Sequence, residues 1–166
     1  MKPQAILYTS HTGSTARYAE LLGQKTGLPV FPLSRAPARG TAVLYLGWLM
    51  AGKVQGYRKA AKKYRICALC GVGMGPTGSQ LEDVKKANQL PPDLPLFTLQ
   101  GGFDRSKLRG VYRLMMSMVA GTMGKTLAEK PDRTPEEAEM LELLTHGGNR
   151  VSEEHLHQIL AWYETI

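Results

Sequence analysis

Short apolar runs alternate with longer amphipathic stretches along the chain. A short, continuous apolar run predicts a strand that is buried on both faces, whereas apolar residues three or four positions apart predict a helix. The pattern predicts five strands, at residues 5–8, 29–33, 42–46, 66–70 and 94–99. It predicts helices at residues 16–25, 53–63, 80–88, 108–123, 135–144 and 152–163.

This alternation determines the predicted fold class. Each strand and its helix occupy about 25–30 residues, the length of a βαβ crossover, so the strands are expected to be parallel. Five such strands match a doubly wound α/β sheet of order 2-1-3-4-5. We expect one domain, residues 1–166, in which residues 131–166 form an acidic C-terminal helical extension, and residues 125–134 are the only stretch typical of a linker.

The turn after the first predicted strand has the composition of an anion-binding loop. It contains four hydroxyl side chains and one glycine, and it precedes the positive end of a helix, where free N–H groups attract a phosphate. No lysine or arginine lies inside the turn, so neutral donors are expected to hold the phosphate. A Ser or Thr helix cap, the competing interpretation, accounts for only one of the four hydroxyls. The residues assigned to this site are Ser10, His11, Thr12, Gly13, Ser14 and Thr15.

Within this turn, the pattern Ser-x-Thr-Gly-x-Thr, at residues 10–15, resembles the FMN-phosphate loop of flavodoxins. Residues 95–104, residues 106–108 and the methionine-rich stretch at 114–118 are similar to a bacterial flavodoxin-domain family that also contains the flavodoxin-like protoporphyrinogen oxidases. The resemblance implies a flavodoxin-like strand order, one non-covalently bound FMN, and electron transfer.

By the same resemblance, the glycine-bearing turns after the third and fourth predicted strands would contact the isoalloxazine ring. The turn after the third strand offers Trp48 for stacking on the ring, with Met50 or Tyr57 as alternatives. The competing interpretation is that Trp48 is a partly buried core residue. The turn after the fourth strand offers neutral backbone N–H groups to the flavin carbonyls. The residues assigned to the ring are Trp48, Leu49, Met50, Ala51, Gly52, Gly73, Met74, Gly75, Thr77 and Gly78.

Composition indicates the class of protein and the compartment in which it is expected. Hydrophobic residues make up 43% of the chain, which is ordinary for a globular protein. No apolar run reaches the roughly 20 residues that span a bilayer, and the first strand follows Met1 too closely for a signal peptide. Cys67 and Cys70 are expected to be buried on opposite faces of one strand, so neither a disulfide nor a shared metal is predicted. A cytoplasmic protein is expected.

Charge is distributed unevenly along the chain. Residues 1–130 contain 19 basic and 6 acidic side chains, a net charge of +13, whereas residues 131–166 contain 2 basic and 8 acidic ones, a net charge of −6. A basic cluster at residues 58–65 is either a solvated helix face or a docking surface for an acidic redox partner protein. No nucleic acid is expected as a partner, because the sequence contains no known nucleic-acid-binding module. The acidic tail either folds back over the basic face or leaves it open.

The methionine-rich helix predicted at residues 108–123 is apolar on more than one side. Methionine suits both irregular cores and adaptable interfaces, so this helix is expected to join the core, form a homodimer interface, or contact a membrane peripherally. These roles remain open at this point.

No group of side chains is typical of acid–base or nucleophilic catalysis, which favours an FMN protein that transfers electrons. Two alternatives remain. The first is an FMN-dependent oxidoreductase, such as a protoporphyrinogen or quinone-linked dehydrogenase. The second is an interaction module that keeps the fold without the flavin.

Overall fold

The sheet contains five parallel strands and one short antiparallel strand. The computed structural model describes all 166 residues, and its strands are β1 (Ala5–Thr9), β2 (Val30–Pro32), β3 (Ala42–Met50), β4 (Lys53–Val54), β5 (Arg65–Gly73) and β6 (Leu96–Gln100). The parallel strands have the order β2-β1-β3-β5-β6, and β4 pairs antiparallel with the end of β3. Counted among the parallel strands alone, this is the predicted order 2-1-3-4-5, so the flavodoxin-like, doubly wound α/β prediction is confirmed.

Six α-helices accompany the sheet. They are α1 (Ser14–Thr26), α2 (Tyr57–Ala61), α3 (Leu81–Asn88), α4 (Gly110–Glu129), α5 (Pro135–His146) and α6 (His157–Glu164). On one face of the sheet, α1 and α6 contribute Leu22 and Ile159 to a buried cluster. On the other face, α2 and α3 contribute Ala60 and Val84 to a second cluster. Continuous apolar strands bury both of their faces in this way.

The C-terminal helix α6 is part of the core. Ile159 of this helix and Leu156, the residue just before it, are fully buried against α1 and the sheet. The buried hydroxyl of Tyr18 donates to the carbonyl of Gln100 and lies 2.7 Å from His155 Nδ1. Because the hydroxyl has only one proton, the imidazole must be the donor in the second bond. Tyr18 therefore ties the C-terminal segment to the sheet.

Tyrosine burial leads to a prediction at alkaline pH. Desolvation raises the pKa of Tyr18 and of Tyr45 from 10 to about 12. The unfolded chain ionises these phenols near pH 10 and the folded chain only near pH 12, so the stability that they contribute is complete below pH 10 and is lost as the pH rises from 10 to 12. Urea unfolding across this range should show a fall in the free energy of unfolding. The change Tyr18→Phe should make that fall shallower.

A matched variant tests this prediction. Tyr163→Phe removes a hydroxyl that makes no hydrogen bond and keeps the ring that lies 4.9 Å from Lys2 Nζ, so it should leave the stability at neutral pH nearly unchanged. At neutral pH, Tyr18→Phe should cost about 1–3 kcal/mol, because it leaves the carbonyl of Gln100 without its donor. If the free energy of unfolding fell equally between pH 10 and 12 in Tyr18→Phe and in the unmodified protein, the contribution assigned to the Tyr18 phenol would be contradicted.

Several predicted boundaries are wrong. The third strand does not end at Gly47 but continues to Met50, where a hairpin turns back into β4. Gly47 permits this, because an added Cβ would lie 2.5–2.6 Å from atoms of Gln55 and Val54. The helix predicted from residue 53 consequently begins at Tyr57, and α4 extends through half of the predicted linker.

The acidic tail does not cover the basic cluster. Glu153 forms an ion pair with Lys25 at 2.6 Å and Glu137 pairs with Lys130, whereas the pairs of Arg150 with Glu139 and Glu142 lie within the tail. None joins it to residues 58–65, whose charged side chains are exposed. No helix is both long and apolar enough to cross a membrane.

Helix α4 lies outside the core. Val111, Leu114 and Met118 are each about two-thirds exposed, and Ala120 is the only buried residue of the helix. The core interpretation of this helix is therefore wrong for the single chain, and the homodimer and membrane interpretations remain predictions.

Candidate functional site

The predicted anion-binding loop lies at the point where the strand order reverses. β1 is flanked by β2 on one side and by β3 on the other, so the chain leaves the carboxyl ends of β1 and β3 in opposite directions. In open parallel sheets, this crevice is where ligands bind. Residues 10–13 connect β1 to α1 at this position.

Helix α1 begins without a side-chain cap. Its N-cap is Gly13, with φ 108° and ψ −22°, and no side chain accepts a hydrogen bond there. The interpretation of the hydroxyls as a helix cap is therefore wrong. The first N–H groups of a helix have no acceptor within the helix, so the start of α1 presents free donors and the positive end of its dipole.

Two polar atoms of the loop are buried without a hydrogen-bond partner, namely Ser10 Oγ and His11 Nε2. A buried polar atom without a partner lowers the stability of the fold by about 1–3 kcal/mol. Most buried polar atoms in natural proteins therefore have a hydrogen-bond partner. Both atoms belong to the loop that leads directly into the uncapped start of α1, and a hydroxyl there can donate to a bound anion.

The other hydroxyls of the loop have different roles. Ser14 Oγ accepts a hydrogen bond from the N–H of Gly102, at 2.9 Å, and so ties the start of α1 to the segment after β6. Thr15 is buried at 2% exposure, whereas Thr12 lies beside the cleft next to the loop. The four predicted hydroxyl donors are therefore not equivalent.

The structure adds a cation that sequence reasoning missed. Lys107 Nζ lies 3.8 Å from the position that a Cβ on Gly13 would occupy. Its ion pair with Asp104 is long, 3.6 Å, and a hydrogen bond from Ser106 holds the pKa of the Asp104 carboxyl below its usual range. No local signal pointed to Lys107, because it is more than 90 residues from the loop along the chain. Lys107 thus adds a positive charge near a loop that itself contains only neutral donors.

Trp48 lies on β3 and not in a turn. Its ring stacks on His11, with centroids 5.2 Å apart and planes at 26°, and meets the edge of Tyr112 at 5.4 Å. His11 and Tyr112 are also in contact, at 5.0 Å. We call these three residues the aromatic cluster. It joins the loop before α1, the end of β3 and the start of α4.

The other residues predicted to follow the third strand, at positions 49–52, have their described contacts outside the aromatic cluster. Leu49 packs over β5, within 2.9 Å and 3.1 Å of the positions where Gly71 and Gly73 would carry a Cβ. Gly73 therefore makes room for Leu49. Met50 pairs with Lys53, and the hairpin turn at Ala51 and Gly52 lies against α3.

The segment after β5 is held against β6. Thr77 Oγ1 accepts from the N–H of Gln100 at 3.0 Å, and the N–H of Gly78 donates to Thr98 at 2.9 Å. Met74 accepts a long bond from the side chain of Gln100. The Thr77 hydroxyl and the Gly78 N–H are thus both hydrogen-bonded within the protein. Gly75 packs near Ser79 and Gln80.

Part of the basic cluster lies far from the loop. Lys63 and Arg65 both bond to Gly40 at the amino ends of the strands. Nine residues of β5 separate this edge from the carboxyl edge, a distance of about 25 Å at a rise of roughly 3.3 Å per residue.

Comparison with known proteins gives no match to a family model, to a curated protein or to a solved structure.

Proposed function

We propose that this protein binds FMN through the loop at residues 10–15 and acts in electron transfer. The observation that carries the proposal is the uncapped start of α1, with the unpartnered Ser10 Oγ and His11 Nε2 beside it. These groups lie where strand order reverses, which is the position at which doubly wound sheets bind nucleotides. A phosphate would accept hydrogen bonds from the free N–H groups and from the Ser10 hydroxyl, and from His11 Nε2 in the tautomer that carries its proton there.

The residues present fit a phosphate group. The hydroxyl of Ser10 and the free N–H groups of α1 are neutral donors, and the Lys107 ammonium next to Gly13 supplies a positive charge. The αL conformation of Gly13 gives the anion close access to the backbone. FMN would supply the redox chemistry, and the role of this chain would be to bind the cofactor and to set its environment.

The aromatic cluster is the surface that we propose for the flavin ring. Trp48 and Tyr112 are both partly exposed and offer flat apolar faces beside the phosphate loop. In the structure these rings pack on each other and on His11, so ring stacking requires the cluster to open. Tyr112 belongs to α4, the helix with the least burial, and we propose that it moves.

The closed packing of this cluster favours a second candidate, the interaction module without a flavin. In that case the aromatic side chains would satisfy one another, and the loop would bind a phosphate of another ligand or none. The two candidates differ in whether FMN is bound.

Titration with FMN tests the proposal. The fluorescence of FMN should be quenched at a ratio of one FMN per chain, and riboflavin, which lacks the phosphate, should bind at least about tenfold more weakly, since hydrogen bonds to charged groups are worth about 1.5–3 kcal/mol. A Trp48→Phe variant should keep the preference for FMN. Equal affinities for FMN and riboflavin, or no quenching by either, would reject the proposal.

The redox partner is expected to approach the carboxyl edge of the sheet, because electron transfer requires closeness to the flavin. Lys63 and Arg65 lie at the other edge. A partner that docks on the basic cluster would therefore have to extend from there to the aromatic cluster.

A further inference from the structure

A cleft of about 560 Å³ opens on one side of the phosphate loop. Its walls are the start of α1, residues 102–107 after β6, and residues 146–151 between α5 and α6. This volume falls in the range of about 300–1,000 Å³ that is usual for small-molecule sites. It exceeds what a single phosphate group needs.

The cleft is polar and positively charged. Arg17, Arg105 and Lys107 line it, against one carboxylate, that of Asp104, and only two of its fifteen lining residues are hydrophobic. Arg105 has no ion-pair partner, and Arg17 has only a long pair with Glu20, at 3.4 Å. Three cations against one carboxylate favour an anionic ligand.

The shape of the cleft is held by backbone contacts. Phe103 and Gly148 exchange two hydrogen bonds, of 2.9 Å and 3.1 Å, across an antiparallel bridge. A Cβ on Gly102 would collide with the carbonyl of Gly148, so a glycine is needed for this approach. The bridge holds residues 146–151 opposite the start of α1 without filling the space between them.

The donors in the cleft are of the kind that bind phosphoryl groups. Glycine backbone, the hydroxyl of Thr12 and arginine side chains surround the space, and arginine binds phosphate with two parallel hydrogen bonds. Thr12 and Gly13 belong both to this cleft and to the phosphate loop. One phosphoryl group at the loop and a second one linked to it in the cleft would therefore be adjacent.

We propose that the cleft binds the diphosphate of a nucleotide ligand, with Arg17 and Arg105 as its cationic contacts. The ligand is either FAD, whose second phosphate and nucleoside would lie in the cleft, or a nucleoside diphosphate that binds independently of the flavin. The first case rests on the proposed function, whereas the second does not.

Calorimetric titration with inorganic pyrophosphate, ADP, FMN and FAD tests this inference. The double variant R17Q/R105Q should bind pyrophosphate and ADP about tenfold more weakly, because it removes two charge-assisted contacts. Its affinity for FMN should change by less than about threefold, as expected for exposed charges outside the loop. The control K62Q/K63Q removes the same charge from an exposed surface near the other edge of the sheet and should have no effect on any ligand.

The outcomes separate the inference from the proposed function. FAD binding more tightly than FMN, with the difference lost in R17Q/R105Q, would support the cleft as part of a dinucleotide site. Binding of ADP and pyrophosphate alongside FMN would support a separate nucleotide site. FMN binding without any binding of pyrophosphate or ADP, and without a preference for FAD, would overturn the inference and leave the FMN proposal standing. Pyrophosphate binding without FMN binding would reject the FMN proposal and leave the cleft. An equal loss in the control variant would overturn the inference, because it would show that overall charge alone attracts the anion.

Discussion

Replacing Gly56 by alanine should lower the free energy of unfolding by about 2–5 kcal/mol. Gly56 has φ +81°, a conformation that costs an alanine about 1–2 kcal/mol. The added Cβ would also overlap the Tyr45 hydroxyl and crowd Thr9 Oγ1, and overpacking typically costs a further 1–3 kcal/mol or so. Urea unfolding at neutral pH measures the loss.

The sensitivity of this position comes from a buried hydrogen-bond relay. The Tyr45 hydroxyl donates to the carbonyl of Gln55 at 2.8 Å and lies 2.6 Å from Thr9 Oγ1. Since its single proton goes to Gln55, it accepts from Thr9. The relay joins the end of β1 and the middle of β3 to the loop before α2, and an alanine at position 56 would force it apart.

Gly40→Ala is the matched control. Gly40 has nearly the same φ, +84°, but nothing lies within 4 Å of an added Cβ. Its variant should therefore lose only the backbone contribution of about 1–2 kcal/mol. Equal losses in the two variants would show that the relay shifts without cost and would contradict the overlap argument.

Replacing Ser10 by alanine should change stability and FMN affinity in opposite directions. Without a ligand, the buried Ser10 Oγ has no partner, so its removal should raise the free energy of unfolding by about 1–3 kcal/mol. With FMN, the same change removes a donor to a charged phosphate and should weaken binding roughly 10- to 100-fold.

Two measurements on one variant, urea unfolding without ligand and FMN titration, test this prediction. The control is Ser34→Ala, which removes an exposed hydroxyl outside the site and should affect neither quantity appreciably. A Ser10→Ala protein that is less stable and binds FMN normally would show that the hydroxyl has a structural role. That result would remove the main support for the phosphate site.

Local pattern was sufficient to predict the five parallel strands of the sheet, although not the short antiparallel strand β4. The runs at 42–46 and 66–70 are continuous and apolar because each strand is covered on both faces, and this requirement acts on consecutive residues. Where a strand ends was harder to predict. Gly47 and Gly71 were expected at or beyond strand ends, yet both lie inside strands, because side chains from β4 and from Leu49 occupy the space beside them.

The sequence by itself determined the fold class, the strand order and the position of the hydroxyl-rich loop before α1, since each depends on neighbouring residues and on the lengths of the segments between strands. Only the tertiary structure decided that Lys107 lies beside Gly13, that Tyr112 packs with Trp48 and His11, and that residues 102–107 and 146–151 enclose a charged cleft. These residues are far apart along the chain, and they meet because the layers of helices pack on the sheet at particular positions. Hydrophobic periodicity reports which side of an element is buried, but it does not report which distant side chain lies against it.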